Sequence, residues 1–205
     1  MSGAGADDPL LVLTWRGCLF RVPDGVQPPQ AGSLFFCRHL IVRPGERVLE
    51  IGAGLGLAAV LAARAGATVV ATDVVPAAIE SIRMNAALNG VTIDVRLGDA
   101  WGPIMGERFD VVCTNPPQMP TPPGRDRDDA EAAADNGGSD GWALLDRVIA
   151  DAQSRGAAWI EGYPRNQPAE GAAGHFRGAR SMYEARGFKP VAVGERHTVM
   201  RREAR

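Results

Sequence analysis

Nine consecutive residues, Val48-Leu49-Glu50-Ile51-Gly52-Ala53-Gly54-Leu55-Gly56, restrict what this chain can fold into more than any other stretch. The first four read as a short buried β-strand. Three glycines follow, alternating with other residues. The backbone can therefore turn sharply and lie against a ligand with no Cβ in the way. Ala58, Ala59, Val60, Leu61 and Ala62 then carry a helix whose amide-rich N-terminus points back at that ligand. Strand, glycine loop and helix in this order form a nucleotide-binding unit in many α/β proteins. The spacing is Gly-x-Gly-x-Gly, one residue tighter than the dinucleotide fingerprint, with Glu50 two positions ahead of the first glycine. A second strand, Thr68-Val69-Val70-Ala71-Thr72, ends at Asp73, where a carboxylate can accept hydrogen bonds from ribose hydroxyls. The glycines alone are also compatible with a structural turn or an NAD site.

With Glu50 and Asp73 added to the glycine loop, the chain resembles the class I S-adenosylmethionine-dependent methyltransferases. The resemblance implies that Glu50, Gly52, Ala53, Gly54 and Gly56 hold the methionine end of S-adenosylmethionine, and that Asp73 holds its ribose. It implies that Asp99, after the third strand, accepts from the adenine amino group. Ala100 would offer a backbone amide to the ring, and Val74 and Ala100 would sandwich it. Trp101 can either cover the adenine or pack.

The remaining elements follow from periodicity. Leu10 to Leu13 and Cys18 to Val22 read as strands of a hairpin around Trp15-Arg16-Gly17. A helix is expected from about Ser33 to Ile41, and in the resembling family the residues before it close over the cofactor, here Gln30, Gly32 and Ser33. Pro76 opens a helix that Asn89-Gly90 stops. Strands are expected at Thr92 to Arg96, Phe109 to Thr114 and Ala157 to Glu161, and a helix at Trp142 to Ser154. A further helix and a final hairpin, Phe188 to Val193 with His197 to Arg201, complete the chain. The whole reads as one doubly wound, Rossmann-like α/β domain. Residues 1–40 would form N-terminal strands and a helix covering the cofactor site, and residues 41–205 the methyltransferase-like body. The resemblance adds a seven-stranded, mostly parallel sheet with one antiparallel strand near the end.

The fourth strand leads directly into Asn115-Pro116-Pro117-Gln118. Two prolines stiffen the backbone, so the Asn115 side chain and the Pro116 carbonyl are held in one geometry, and both are acceptors. Together they can grip a planar NH₂ group and aim its nitrogen at an electrophilic methyl. The tetrapeptide resembles the Asn-Pro-Pro-aromatic motif of amino methyltransferases that act on nucleic-acid bases or on the glutamine amide of release factors. Gln118 stands where that family has Tyr or Phe, which removes a stacking surface for a flat base. Met119 to Asn136 reads as a solvated loop that can double as a substrate lid. Gly137-Gly138-Ser139-Asp140-Gly141 also resembles the release-factor enzymes.

Composition narrows the partners. A formal net charge of -2 gives no strong nucleic-acid signal. Cys18, Cys37 and Cys113 are scattered and odd in number, so no disulfide framework and no metal site is expected, and a reducing cytoplasm fits. No signal peptide or membrane span is expected. The stretches Arg155 to Pro164, Phe176 to Gly178 and Ser181 to Phe188 resemble the C-terminal half of actinobacterial GNAT acetyltransferases. The corresponding pyrophosphate loop lacks its basic or amide residue, so this tail is expected to be structural. About forty residues precede the organising strand, too few for the extra recognition domain of release-factor methyltransferases. The expected acceptor is therefore a small-molecule amine or amide, or a protein or RNA met through a partner, with the enzyme a monomer or homodimer. A non-catalytic S-adenosylmethionine-binding partner subunit and an acetyltransferase-related protein are the alternatives.

Overall fold

A computed structural model describes residues 11–116, 138–139, 141–164, 180–194 and 198–203. The chain divides into two compact units, Met1–Asn115 and Pro116–Arg205.

In the first unit, β1 (Leu11–Trp15) and β2 (Cys18–Val22) form an antiparallel hairpin. Its two turn residues, Arg16 and Gly17, both have positive φ, 50° and 75°, as a turn matched to the strand twist requires. Next come α1 (Ala31–His39), β3 (Arg47–Ile51), α2 (Leu57–Arg64), β4 (Thr68–Asp73), α3 (Pro76–Leu88), β5 (Asp94–Leu97), a 3-10 turn (Gly102–Ile104) and β6 (Val111–Thr114). Four strands pair in parallel in the order β5-β4-β3-β6. Val48, Leu49, Ile51, Val69, Val70 and Ala71 are buried, so successive residues of β3 and β4 face apolar surroundings on both sides of the sheet. The core joins Val48, Val69 and Ala71 of the sheet to Ala59, Ala62 and Ile82 of α2 and α3.

In the second unit, α4 (Ala143–Ser154) precedes β7 (Trp159–Gly162), α5 (Arg180–Glu184), β8 (Lys189–Val193) and β9 (Thr198–Glu203). The strand order is β7-β9-β8, and β9 runs antiparallel to both neighbours. Trp142, Tyr183 and Phe188 pack edge to face around Met200, with ring centroids 4.7 and 5.4 Å apart.

The α/β class and the helix–strand alternation match the sequence reading. The single seven-stranded sheet does not emerge: the ladders among the described residues are a four-stranded parallel sheet and a three-stranded one. Hydrophobic periodicity locates strands but carries no information on which strand pairs with which. The same limit shifts boundaries. The first helix begins at Ala31 rather than Ser33, the third strand spans Asp94–Leu97 rather than Thr92 to Arg96, and the fourth begins at Val111. Pairing, not apolar content, decides where those strands start. Pro117, Gln118, the Met119 to Asn136 segment and Asp140 lie outside the described residues. No helix among the described residues is long and apolar enough to cross a membrane.

Candidate functional site

Parallel pairing brings the carboxyl ends of β3, β4, β5 and β6 to one edge. Ile51 stands opposite both Thr72 and Thr114, and Asp73 opposite Leu97. The glycine loop, Asp73, Asp99 and Asn115 each follow one of those strand ends. β3 is also where the strand order reverses, because β4 and β5 lie to one side of it and β6 to the other. Ligands of open α/β sheets bind at that crevice.

The glycine loop is shaped by hydrogen bonds from outside it. The amides of Gly52 and Ala53 donate to the Thr72 carbonyl at 2.9 and 3.1 Å. The Gly54 amide donates to Asp73 Oδ2 at 2.8 Å, and the Val75 amide donates to Oδ1 at 2.9 Å. Asp73 therefore ties the loop to the start of α3. Each carboxylate oxygen retains a second lone-pair direction for another donor. The glycines have different jobs. A Cβ on Gly56 would press on Ile82 at 3.2–3.3 Å, so that glycine serves helix packing. A Cβ on Gly54 would meet nothing within 4 Å, yet its φ of 52° lies in the left-handed region. Open space above a bare backbone is what a bound cofactor needs.

Glu50 is buried, at 5 % exposure, and its Oε2 accepts the Ala59 amide at 2.7 Å. Gly56 is the N-cap of α2 and has no side chain to cap it. Glu50 supplies that cap from the strand. Burial pushes its carboxyl up to about 8, opposed by the Ala59 N–H and assisted by the charge of Asp73. Glu50 is accordingly protonated at neutral pH in the free protein, rather than standing as a fixed carboxylate at the first glycine. A cation brought to the loop would favour its ionised form.

The residues expected on the adenine side, Val74, Asp99 and Ala100, follow strands along the same edge. Val74 is 46 % exposed and Asp99 is exposed, whereas Ala100 is buried with a φ of 44°, a conformation unusual for alanine. Asn115 is exposed at the end of β6. Its Nδ2 donates to Ser33 Oγ of α1 at 3.1 Å, so the amide is held with Oδ1 as its remaining acceptor. Thr114, one residue earlier, donates from its hydroxyl to the Ile51 carbonyl at 2.9 Å and pins the end of β6 to β3. That pin and the Ser33–Asn115 bond were not read from sequence. Only the presence of Ser33 ahead of the expected helix hinted at the second. Pro116 is buried.

Residues 27–121 match the family described as the methyltransferase small domain. A Methanocaldococcus jannaschii relative, provisionally named a protein N5-glutamine methyltransferase, is 33 % identical over 140 residues, covering 68 % of this chain and 71 % of its own. A release factor glutamine methyltransferase of Aquifex aeolicus is 35 % identical over 112 residues, covering 51 % of this chain but 40 % of its own. A solved T. thermophilus 16S rRNA guanine-N2 methyltransferase, in complex with S-adenosylmethionine and guanosine, superposes with a TM-score of 0.60 at 22 % identity. That likeness covers 100 % of this chain and 53 % of the solved one.

The Glu50 geometry yields a stability prediction. The folded protein keeps its proton up to about pH 8, whereas the unfolded chain loses it near the ordinary carboxyl value of 4.5. Between those limits rising pH favours the unfolded chain, by up to about 1.4 kcal/mol per pH unit. The thiols of Cys37 and Cys113, which feel Glu50, are pushed up by burial and do not titrate in this window. Glu50→Gln keeps an acceptor for Ala59 and removes the penalty. Chemical denaturation across pH 5–8 should show the variant gaining on the native protein and the difference flattening above pH 8.

Proposed function

The chain belongs to the methyltransferase small-domain family of S-adenosylmethionine-dependent enzymes, and we propose that it methylates an amino or amide nitrogen gripped by Asn115 and the Pro116 carbonyl. The observation that carries this reading is the Asn115 side chain at the end of β6, its nitrogen engaged by Ser33 and its oxygen left to face an acceptor. S-adenosylmethionine supplies a sulfonium-bound methyl, which is already electrophilic. The protein's part is positioning. Asn115 Oδ1 would accept one N–H of the acceptor and the Pro116 carbonyl the other, turning the nitrogen lone pair toward the methyl. Such placement is worth ~7–11 kcal/mol of barrier. The two hydrogen bonds strengthen as the nitrogen gains positive charge, which is where transition-state stabilisation enters. The excess proton leaves to water after transfer, so no strong base is needed.

For the cofactor, the residues fit. Gly52, Ala53 and Gly54 would carry the methionine end over bare backbone. The second lone pairs of Asp73 would take the ribose hydroxyls. Asp99 would take the adenine amine, with Val74 and Ala100 against the ring. Glu50 would ionise beneath the cationic ligand. Gly56 supports the loop through its packing on Ile82. For the acceptor, an amide is favoured over a flat base. Gln118 offers no ring to stack on, and the two relatives described above carry the names of glutamine methyltransferases.

Two sets of variants test the reading. Asp73→Ala should weaken S-adenosylmethionine binding in calorimetry by ~1.5–3 kcal/mol, the worth of hydrogen bonds to a charged group. Gly54→Val should weaken it further, since its side chain would enter open space over the loop. Asn115→Ala should behave differently. Transfer of labelled methyl to glutamine-containing peptides or simple amides should fall roughly 100-fold or more, with cofactor affinity nearly unchanged. Equal losses of turnover and affinity would remove Asn115 from the acceptor site.

A further inference from the structure

Helix α3 (Pro76–Leu88) carries Asn85 in its interior, where asparagine is a poor residue, and Asn89 caps its C-terminus one turn later. Both address strand β2. Asn89 accepts the Leu19 amide at 2.9 Å and donates to the Leu19 carbonyl at 2.7 Å. Asn85 accepts the Arg21 amide at 2.9 Å and donates to the Arg21 carbonyl at 3.1 Å. Four residues along a helix rise about 6 Å, and alternate strand residues lie about 6.6 Å apart. Two side-chain amides on the helix thus pair with two successive outward peptide groups of β2, as a neighbouring strand would. Asn85 does more. It is fully buried, and its Nδ2 also donates to the Leu55 carbonyl, between Gly54 and Gly56, at 3.0 Å, with Ser81 Oγ at 3.4 Å. Asn89 instead returns to the Asn85 carbonyl at 2.7 Å.

We infer that Asn85 is a positioning residue of the cofactor site, clamping the Leu55 carbonyl of the glycine loop to strand β2 so that loop and N-terminal hairpin order together and cofactor binding stiffens the hairpin. The coupling runs through one buried amide whose partners are shared. Fixing the Leu55 carbonyl fixes the amide that holds Arg21, and by linkage the reverse holds with the same free energy. The inference rests on the glycine loop holding S-adenosylmethionine.

Asn85→Ala and Asn89→Ala separate this role from anchoring of the hairpin alone. Each deletes one two-bond pair with β2, and only the first releases Leu55. Calorimetry should show Asn85→Ala raising the Kd for S-adenosylmethionine about five- to tenfold, one hydrogen bond's effect, and Asn89→Ala changing it less than about twofold. Equal shifts in the two variants would overturn the proposal. Hydrogen exchange on the native protein gives an independent reading if Asn85→Ala does not fold. Added S-adenosylmethionine should slow exchange of the Leu19 and Arg21 amides, and unchanged exchange would overturn the coupling. A native protein that binds no S-adenosylmethionine would overturn the cofactor reading, and this inference with it.

Discussion

A loop built on Gly52, Gly54 and Gly56 has almost no side chains with which to hold its own shape, and the first unit is arranged to hold it from outside. The Thr72 carbonyl takes two of its amides, Asp73 takes a third, and Asn85 takes the Leu55 carbonyl. Glu50 caps the helix that leaves it. Ile82 closes on Gly56. Each of these groups is worth about 1 kcal/mol when made, and leaving one buried and unmade costs about 1–3 kcal/mol. The loop is therefore set by a ring of polar contacts from β3, β4 and α3, and its ligand-facing side stays bare. The same carboxylate that shapes the loop, Asp73, keeps acceptor capacity at the strand ends. In the proposed function, loop geometry and ribose recognition would share that one residue.

Electrostatics and position divide the labour between the two ends of the site. At the cofactor end a buried, protonated Glu50 lies beneath a loop that would receive a cation, so binding and ionisation are linked. At the proposed acceptor end the working group would be a neutral amide. Ser33 orients it, and Thr114 pins the end of the strand that presents it. Neutral acceptors suit a reaction whose substrate nitrogen turns cationic, because they stabilise the product charge without binding the proton themselves.

Much of this was legible in the sequence, for physical reasons. The apolar runs at Val48 and Val69 mark strands buried on both faces. The alternating glycines mark a turn whose positive φ angles favour glycine, and Asn115 marks a polar side chain at a strand end. What escaped was set by tertiary pairing. The four- and three-stranded ladders depend on which strand meets which. The role of Glu50 as a helix cap depends on a contact nine residues away. The Asn85–Asn89 ladder joins residues more than sixty positions apart, and its only trace in sequence was Asn85 inside a helix that gains nothing from it locally.

The account stands or falls on where the cofactor lies. A crystal structure with S-adenosylmethionine or S-adenosylhomocysteine bound is the most direct measurement. The methionine end should rest on the backbone of Gly52 to Gly54, the ribose hydroxyls should lie within hydrogen-bond distance of the Asp73 carboxylate, and the sulfur should face the Asn115 side chain. A ligand bound elsewhere, with Asp73 keeping only the Gly54 and Val75 amides as partners, would contradict the assignment of the glycine loop and the function built on it.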